Sequence, residues 1–337
     1  MKEFKDISAE EAVILWQASR LSLSKSYEKA PEILKVHGSV IGTLGNFSAS
    51  IGKAKSKKTF NVSAIVAAAL KNGTVLRYVA ELSDGKRKVL YVDTEQSPYH
   101  CLKVMTRILR MAGLPDDRDN ENLEFLALRK YTPEQRIRIV EQAIYNTPEI
   151  GLVIIDGIRD MVYDINSSSE STKVISLLMT WTGERDIHIH TVLHQNKGDE
   201  NARRHIRTEL SNKAETVLQV EKDENNPDIS TVKTAHIRAV DFEPFAFRIN
   251  EEALPELLDG YRFKEKEPGK GRRKFDPYKD ITEQQHRIAL EAAFTLKNEY
   301  GYKELAGVLR ETYATVDVIL GGNRVTDLIT LLKNKRM

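Results

Sequence analysis

The segment Gly52-Lys53-Ala54-Lys55-Ser56-Lys57-Lys58-Thr59 holds the residue types that a phosphate-binding loop requires. Such a loop needs backbone N–H groups turned towards the phosphates, a helix N-terminus behind them, a lysine for the outer phosphates and a hydroxyl for Mg²⁺. Gly52 stands at the first glycine of the pattern Gly-x-x-x-x-Gly-Lys-Ser/Thr, Lys58 at its lysine and Thr59 at its hydroxyl. Lys57 takes the place of the second glycine. If that position is left-handed, a side chain there costs about 1–2 kcal/mol and binding is weakened or reshaped. A solvated basic surface loop is the other reading of the same segment.

Further groups suit the same chemistry. Asp156 ends the apolar run Leu152 to Ile155, which places a carboxylate at the C-terminal edge of a parallel strand, where ligands bind. It suits a Mg²⁺ acceptor acting through water, or an aspartate that merely starts a turn before Gly157. Glu95 lies just beyond the run Val89 to Asp93 and can orient or deprotonate an attacking water, with Asp93 as its competitor. His194 and Gln195 can both donate to phosphate oxygens; a satisfied histidine at a sheet edge fits equally. His188 and His190 alternate with them along one strand, without the carboxylate motif a metal site would add. Cys101, the single cysteine, reads as a small helical residue and excludes an internal disulfide.

These groups need a scaffold, and the pattern supplies one. From Val40, short apolar runs alternate with longer helical stretches, the signature of parallel βα units. A strand is predicted near 40–48, then a helix from Thr59 to Leu70 closed by Asn72-Gly73. Lys88 to Asp93, Leu123 to Leu128, Gly151 to Asp156 and Ile187 to His194 read as strands. Pro98 to Met111, Pro133 to Tyr145 and residues 170–182 read as helices. Thr216 to Val220, Ile229 to Ile237 and Pro244 to Ile249 read as an antiparallel extension. The predicted organisation is a helical lead over 1–38, with Ser8 capping an amphipathic helix over 8–22, a nucleotide-binding domain over 39–260, a basic linker over 261–280 and a small helical, winged-helix-like domain over 281–337.

Composition bounds the rest. A chain of 337 residues with 41% hydrophobic and 30% charged residues can bury a large core. The longest uncharged apolar stretch, around Val62 to Leu70, falls short of the roughly 20 residues of a membrane span. With no signal-like apolar start, a cytosolic protein without membrane contact is expected. A net charge of +2 does not by itself announce nucleic acid, but Lys264, Lys266, Lys270, Arg272, Arg273 and Lys274 form a local basic run.

In the order of these motifs the stretch Val40 to Ile249 resembles the RecA-like ATPases, particularly the branch of hexameric helicases of the DnaB and plasmid RepA types. The resemblance implies an α/β fold, a RecA-like mostly parallel sheet flanked by helices with antiparallel strands at its C-terminal end. It implies ATP and Mg²⁺ at Lys58 and Thr59, a catalytic glutamate at Glu95, a Walker B aspartate at Asp156 and a switch at His194 and Gln195. It further implies a homo-oligomer, a hexamer in that branch, with Arg238 reaching the neighbour's nucleotide, although a surface salt bridge suits Arg238 equally. Lys57 and the basic linker also resemble accessory ATPases of mobilizable transposons and plasmids. The expected function is ATP hydrolysis coupled to DNA, as a helicase, loader or accessory ATPase. In the tail, Tyr302 to Leu309 and Asn323 to Ile329 can form a DNA-binding helix pair with Arg324 exposed, or a protein-interaction bundle. The alternatives are a nucleotide-gated DNA-binding regulator that hydrolyses little, and a RecA-like scaffold that has lost nucleotide.

Overall fold

Strands and helices alternate along the chain in a computed structural model that describes residues 7–164, 167–195, 204–263, 276–297 and 299–335. The chain divides into two compact units, Met1–Arg262 and Phe263–Met337. The first opens with helix α1 (Ala9–Ala18), followed by strands β1 (Glu32–Val36), β2 (Ser39–Thr43) and β3 (Phe47–Lys53). Helix α2 (Lys58–Lys71) leads to β4 (Thr74–Val75), β5 (Tyr78–Ala80), β6 (Lys88–Asp93), α3 (Pro98–Ala112), β7 (Leu123–Ala127) and α4 (Pro133–Asn146). Then come β8 (Ile150–Asp156), α5 (Ser168–Arg185), β9 (His188–Gln195) and α6 (Arg204–Lys213). Strands β10 (Thr216–Lys222), β11 (Ile229–Ile237), β12 (Phe245–Ile249) and β13 (Pro255–Leu257) close the unit.

Among the described residues the main sheet has nine strands in the order β13-β12-β11-β10-β3-β9-β8-β6-β7. From β10 to β7 all neighbours are parallel, whereas β11, β12 and β13 pair antiparallel at one end. This is the expected α/β class. Alternate residues of each central strand go to opposite faces. Val89, Tyr91, Leu152 and Ile154 join a core with α2 and α3, while Leu90, Val92, Val153 and Ile155 join a second core with α4, α5 and α6. Burial on both faces explains why Leu152 to Ile155 reads as one continuous apolar run, and each such side chain contributes about 1.5–3 kcal/mol by leaving water. The parallel order brings the carboxyl ends of β3, β6, β8 and β9 to one edge. There Asp93 is in register with Asp156, and Gly52 with His194.

Local differences from the expected elements have physical causes. The strand expected over 40–48 is β2, a turn through Gly45 at φ +78°, and the start of β3. The strand that enters the loop therefore runs to Lys53, through Ser48 and Ser50, which carry no apolar signal. The lead expected as helical contains β1, which joins β2, β5 and β4 in a four-stranded antiparallel sheet, order β2-β1-β5-β4. Helix α1 has the predicted Ser8 cap, a full capping box with Glu11, but stops at Ala18 and buries none of its residues.

The second unit contains α7 (Pro277–Asp280), α8 (Glu283–Leu296), α9 (Tyr302–Ala314) and α10 (Gly322–Lys335). Ala289, Leu309, Tyr313, Leu320 and Leu328 form its core. Its elements are helices, as expected, and among the described residues no strand accompanies them to form a wing. The basic run Lys264 to Lys274 lies outside the described residues. No described helix is long and apolar enough to cross a membrane.

Candidate active site

The loop after β3 has the curvature that phosphate binding needs. Lys55 and Lys57 both adopt left-handed backbone, at φ 62° and 63°, conformations of the kind that build anion-binding nests. Lys57, standing where glycine was expected, therefore bears the strain anticipated from the sequence. Its ammonium donates to the Asp228 carbonyl at 2.5 Å, a partner that glycine would lack. Gly52 is required for a different reason. A Cβ there would lie 2.2 Å from the Val220 carbonyl oxygen, so β10 approaches too closely for any side chain.

Lys58 is the first residue of α2, and its buried ammonium donates to the carbonyls of Gly52 and Lys53, both at 2.8 Å. Burial lowers its pKa to about 8, against the opposing pull of Asp156 and Glu95. Thr59 Oγ1 donates to Asp156 Oδ2 at 3.0 Å, and Tyr91 Oη donates to the same oxygen at 2.9 Å. Asp156 is buried beside Asp93, and burial first, then that neighbouring carboxylate, raise its pKa to about 6.

Asp93 and Glu95 differ in their hydrogen bonds. Asp93 Oδ1 accepts from the backbone N–H of Glu95 and Gln96, at 3.0 and 2.7 Å, and Oδ2 accepts from Gln96 Nε2 at 2.7 Å. Asp93 thus shapes the turn that presents Glu95. Desolvation, followed by the charges of Asp160, Asp156 and Asp93, raises Glu95 to about 7, so it holds a proton near neutrality far more readily than an ordinary carboxylate. His194 Nε2 lies 3.5 Å from Glu95 Oε1. Burial, with the positive charges of Lys58 and Arg159, lowers His194 to about 4, so the imidazole is neutral at pH 7.

Ser56, Lys57, Lys58, Thr59, Glu95, Asp156 and His194 line one cleft of about 410 Å³, together with Lys55. Lys53 and Ala54 are exposed at the head of the loop. The Gln195 backbone pairs with Lys53 beside the cleft. Arg238 is not brought there. It follows β11 at the end where Ile237 pairs with Thr216, the first residue of β10, and so lies at the sheet edge remote from the loop. Its Nη2 donates to the Lys213 carbonyl at 3.0 Å.

The opposite wall of the cleft was not anticipated. Gln96, His100, Lys103 and Arg107 line it from α3 and the turn before. Arg107 stacks on Phe60, 3.7 Å from the ring centroid, and donates through Nε to Ala253. Its Nη1 is buried with no hydrogen-bond partner among the described residues. The signal was present in the sequence as a basic stripe at i, i+3 and i+7 on a helix that starts beside Glu95. Cys101, by contrast, is buried in α3, and burial pushes its thiol up to about 12.

His188 and His190 take no part in the cleft. Ser48 Oγ bridges His188 Nε2 and His190 Nδ1 at 2.7 Å each, Ser50 Oγ lies 2.8 Å from His190 Nε2, and His188 Nδ1 reaches the Thr43 carbonyl at 2.8 Å. Both rings are fully buried and every ring nitrogen has a partner. Among the described residues no group of three or more His, Cys, Asp or Glu is placed to hold a metal ion.

Residues 25–200, more than half of the 337, match the family model described as AAA domain. No curated protein matches the chain in sequence. Among solved structures the crystal structure of the RadB recombinase is similar at 15% identity with a TM-score of 0.44, over 62% of this chain and 90% of that one.

Proposed function

The chain belongs to the AAA domain family, and from that premise we propose that its cleft binds ATP with Mg²⁺ and hydrolyses it. The observation that carries this reading is the meeting of Lys58, Thr59, Glu95 and Asp156 around one cleft at the carboxyl edge of a parallel sheet. Lys58 neutralises the outer phosphates, within a loop whose curvature suits them. The Thr59 hydroxyl and the Asp156 carboxylate, 3.0 Å apart, are hard oxygen donors of the kind Mg²⁺ prefers, Asp156 through a water. When bound, the ion supplies charge neutralisation on the phosphate oxygens.

Glu95 accepts the proton of the attacking water. A pKa of about 7 keeps a large carboxylate fraction at neutral pH together with the proton affinity that a base needs. Neutral His194, 3.5 Å away, is positioned to orient Glu95 and, with Gln195, to register the γ-phosphate. The α3 wall, with Arg107 and its unpartnered nitrogen, meets the remainder of the nucleotide.

Turnover acts on DNA in this reading, as in a helicase, loader or accessory ATPase working as a homo-oligomer. The exposed Arg324 on α10 and the basic run Lys264 to Lys274 support a DNA partner. Arg238 lies away from its own cleft, as a residue acting on a neighbour's nucleotide must. The test is ATP turnover with and without single- and double-stranded DNA, on the full chain and on Lys58→Ala. DNA-stimulated hydrolysis lost in the variant supports the motor. Tight nucleotide binding without turnover favours a gated regulator, and no binding leaves a scaffold.

A further inference from the structure

The turns after β6, β7 and β8 meet at the carboxyl edge of the sheet, and one side chain from outside the cleft reaches all three. Arg136 stands in the first turn of α4, whose start is fixed by Pro133 and by a capping box between Thr132 and Gln135. Helical side chains lean back towards the N-terminus of their own helix, and α4 begins shortly after β7 ends, so Arg136 is carried to the strand ends. Its Nε donates to the Leu128 carbonyl at 3.2 Å and its Nη1 to that of Asp160 at 2.7 Å. Its Nη2 donates to the carbonyls of Arg129 at 3.0 Å and Thr94 at 3.4 Å. A rigid fork of donors can hold fixed acceptors in this way, and a lysine cannot.

The turn after β6 and the segment after β8 are also joined directly. Thr94 is buried, and its Oγ1 lies 3.0 Å from Asp160 Oδ2, 3.0 Å from the Gly157 carbonyl oxygen and 3.1 Å from that of Asp156. The Thr94 N–H donates to the Asp156 carbonyl at 3.2 Å. Gly157 has φ +106°, and a Cβ on it would lie 2.1 Å from Thr94 Oγ1, 3.3 Å from Glu95 Cγ and 3.4 Å from Asp160 Oδ2. The Thr94 hydroxyl, the stem of Glu95 and the Asp160 carboxylate thus close over one bare glycine, in space that any other residue would fill.

We propose that Arg136 and Asp160 are positioning residues for Glu95, acting through Thr94, a role that rests on the reading of Glu95 as the base. Asp93 holds one side of the Glu95 turn from within β6, through the N–H groups of Glu95 and Gln96. Arg136 and Asp160 hold the other side from α4 and from the segment after β8. Neither they nor Thr94 line the cleft, so they act on the reaction only by fixing where the Glu95 carboxylate stands. Lys58 and Thr59 are held by their own contacts with Gly52, Lys53 and Asp156. Loosening the Glu95 turn therefore costs turnover and spares nucleotide affinity.

The test is a double-mutant cycle on the full chain, comparing wild type, Arg136→Met, Glu95→Gln and the double variant. Mg-ATP turnover, Mg-ATP affinity by titration calorimetry and amide hydrogen exchange are measured on each. Arg136→Met is expected to lower kcat at least about 10-fold and to leave Kd within about 2-fold of wild type. Exchange at the Glu95 and Gln96 amides should quicken, while α2 exchanges as before. In the Glu95→Gln background the same substitution should cost no further turnover, because the carboxylate it positions is gone. Thr94→Val, which removes only the hydroxyl from the contact with Asp160, should give the same pattern and replaces Arg136→Met if that variant fails to fold. Wild-type turnover in these variants, equal losses with and without the Glu95 carboxylate, or unchanged exchange at Glu95 and Gln96 overturns the proposal and leaves Glu95 its role. A Glu95→Gln variant that turns over like wild type overturns the role of Glu95 and this proposal with it.

Discussion

Strand β9 carries histidines at both of its ends, and the two ends behave in opposite ways. At the amino end His188 and His190 are fully buried, with each ring nitrogen engaged by Ser48, Ser50 or the Thr43 carbonyl. At the carboxyl end His194 faces Glu95, in a cleft where Lys58, Glu95 and Asp156 all have displaced pKa values. The same residue type on the same strand is thus closed into a hydrogen-bond chain in one place and, in the proposed reading, chemical in the other. What separates them is satisfaction. A closed hydrogen-bond chain contributes stability and offers nothing to a ligand, whereas crowded carboxylates and an Arg107 nitrogen without a partner among the described residues are, in the proposed reading, open to one.

The sharpest way to break this contrast is to exchange the effects of substitutions at the two ends. Glu95→Gln should reduce ATP turnover by at least about 100-fold while leaving nucleotide binding intact and the melting temperature unchanged or raised, since it removes one of several crowded carboxylates. His190→Leu should do the reverse. It strands the Ser50 hydroxyl in the core and leaves Ser48 with His188 alone, and urea unfolding should show a loss of about 1–3 kcal/mol, with nucleotide affinity unaltered. A turnover defect in the histidine variant, or a stability defect in the glutamate variant, would collapse the distinction.

Arg107→Met should weaken nucleotide binding about 10-fold in equilibrium titration. Its melting temperature should change little, because the loss of a buried unpaired donor offsets the loss of the bond to the Ala253 carbonyl while an apolar contact with Phe60 is kept. An affinity equal to wild type would remove the α3 wall from the site.

The two ends also differ in the sign of their pH dependence. Glu95 titrates near 7 in the fold, above the ordinary 4.5, so its proton is bound more tightly in the folded state. Its contribution to stability is present below about 4.5 and is lost as pH rises through 7. Base catalysis follows the same titration, so kcat/KM should rise with pH through about 7 in wild type, and the residual rate of Glu95→Gln should lack that limb. His188 and His190 are held at about 4 and 3, below the ordinary 6.5, because burial opposes their charging. Their contribution is complete above 6.5 and is lost as pH falls towards 4. Unfolding of Glu95→Gln followed from pH 7 down to 4 should therefore retain the acid loss. Its absence would show that the buried histidines are not held neutral.

Much of this arrangement was legible in the sequence, for identifiable reasons. The ends of the phosphate loop, Asp156 after its apolar run and Glu95 after Asp93 are local signals, and the parallel sheet brings them together. The strain at Lys57 was legible as a condition, and φ 63° meets it. Ser48 and Ser50 hid the true extent of β3, because their hydroxyls are satisfied by histidines some 140 residues away in the chain. The four-stranded sheet around β1 is likewise a product of long-range packing. The α3 wall lay in between: its helical spacing was readable, but which way the stripe faces is decided by how α3 packs on α2.

The smallest expected effect concerns Lys57. Lys57→Gly relieves the left-handed strain but loses the bond to the Asp228 carbonyl, and glycine is more flexible unfolded, so a net gain of about 0.5–1 kcal/mol is expected in thermal unfolding. A loss of stability would mean that the Asp228 contact outweighs the strain.

Isothermal titration of Mg-ATP into wild type, Glu95→Gln and Lys58→Ala tests the central claim most directly. Wild type and Glu95→Gln should bind with similar affinity, and Lys58→Ala should show no measurable binding. Equal binding by Lys58→Ala, or none by wild type, would contradict the assignment of this cleft.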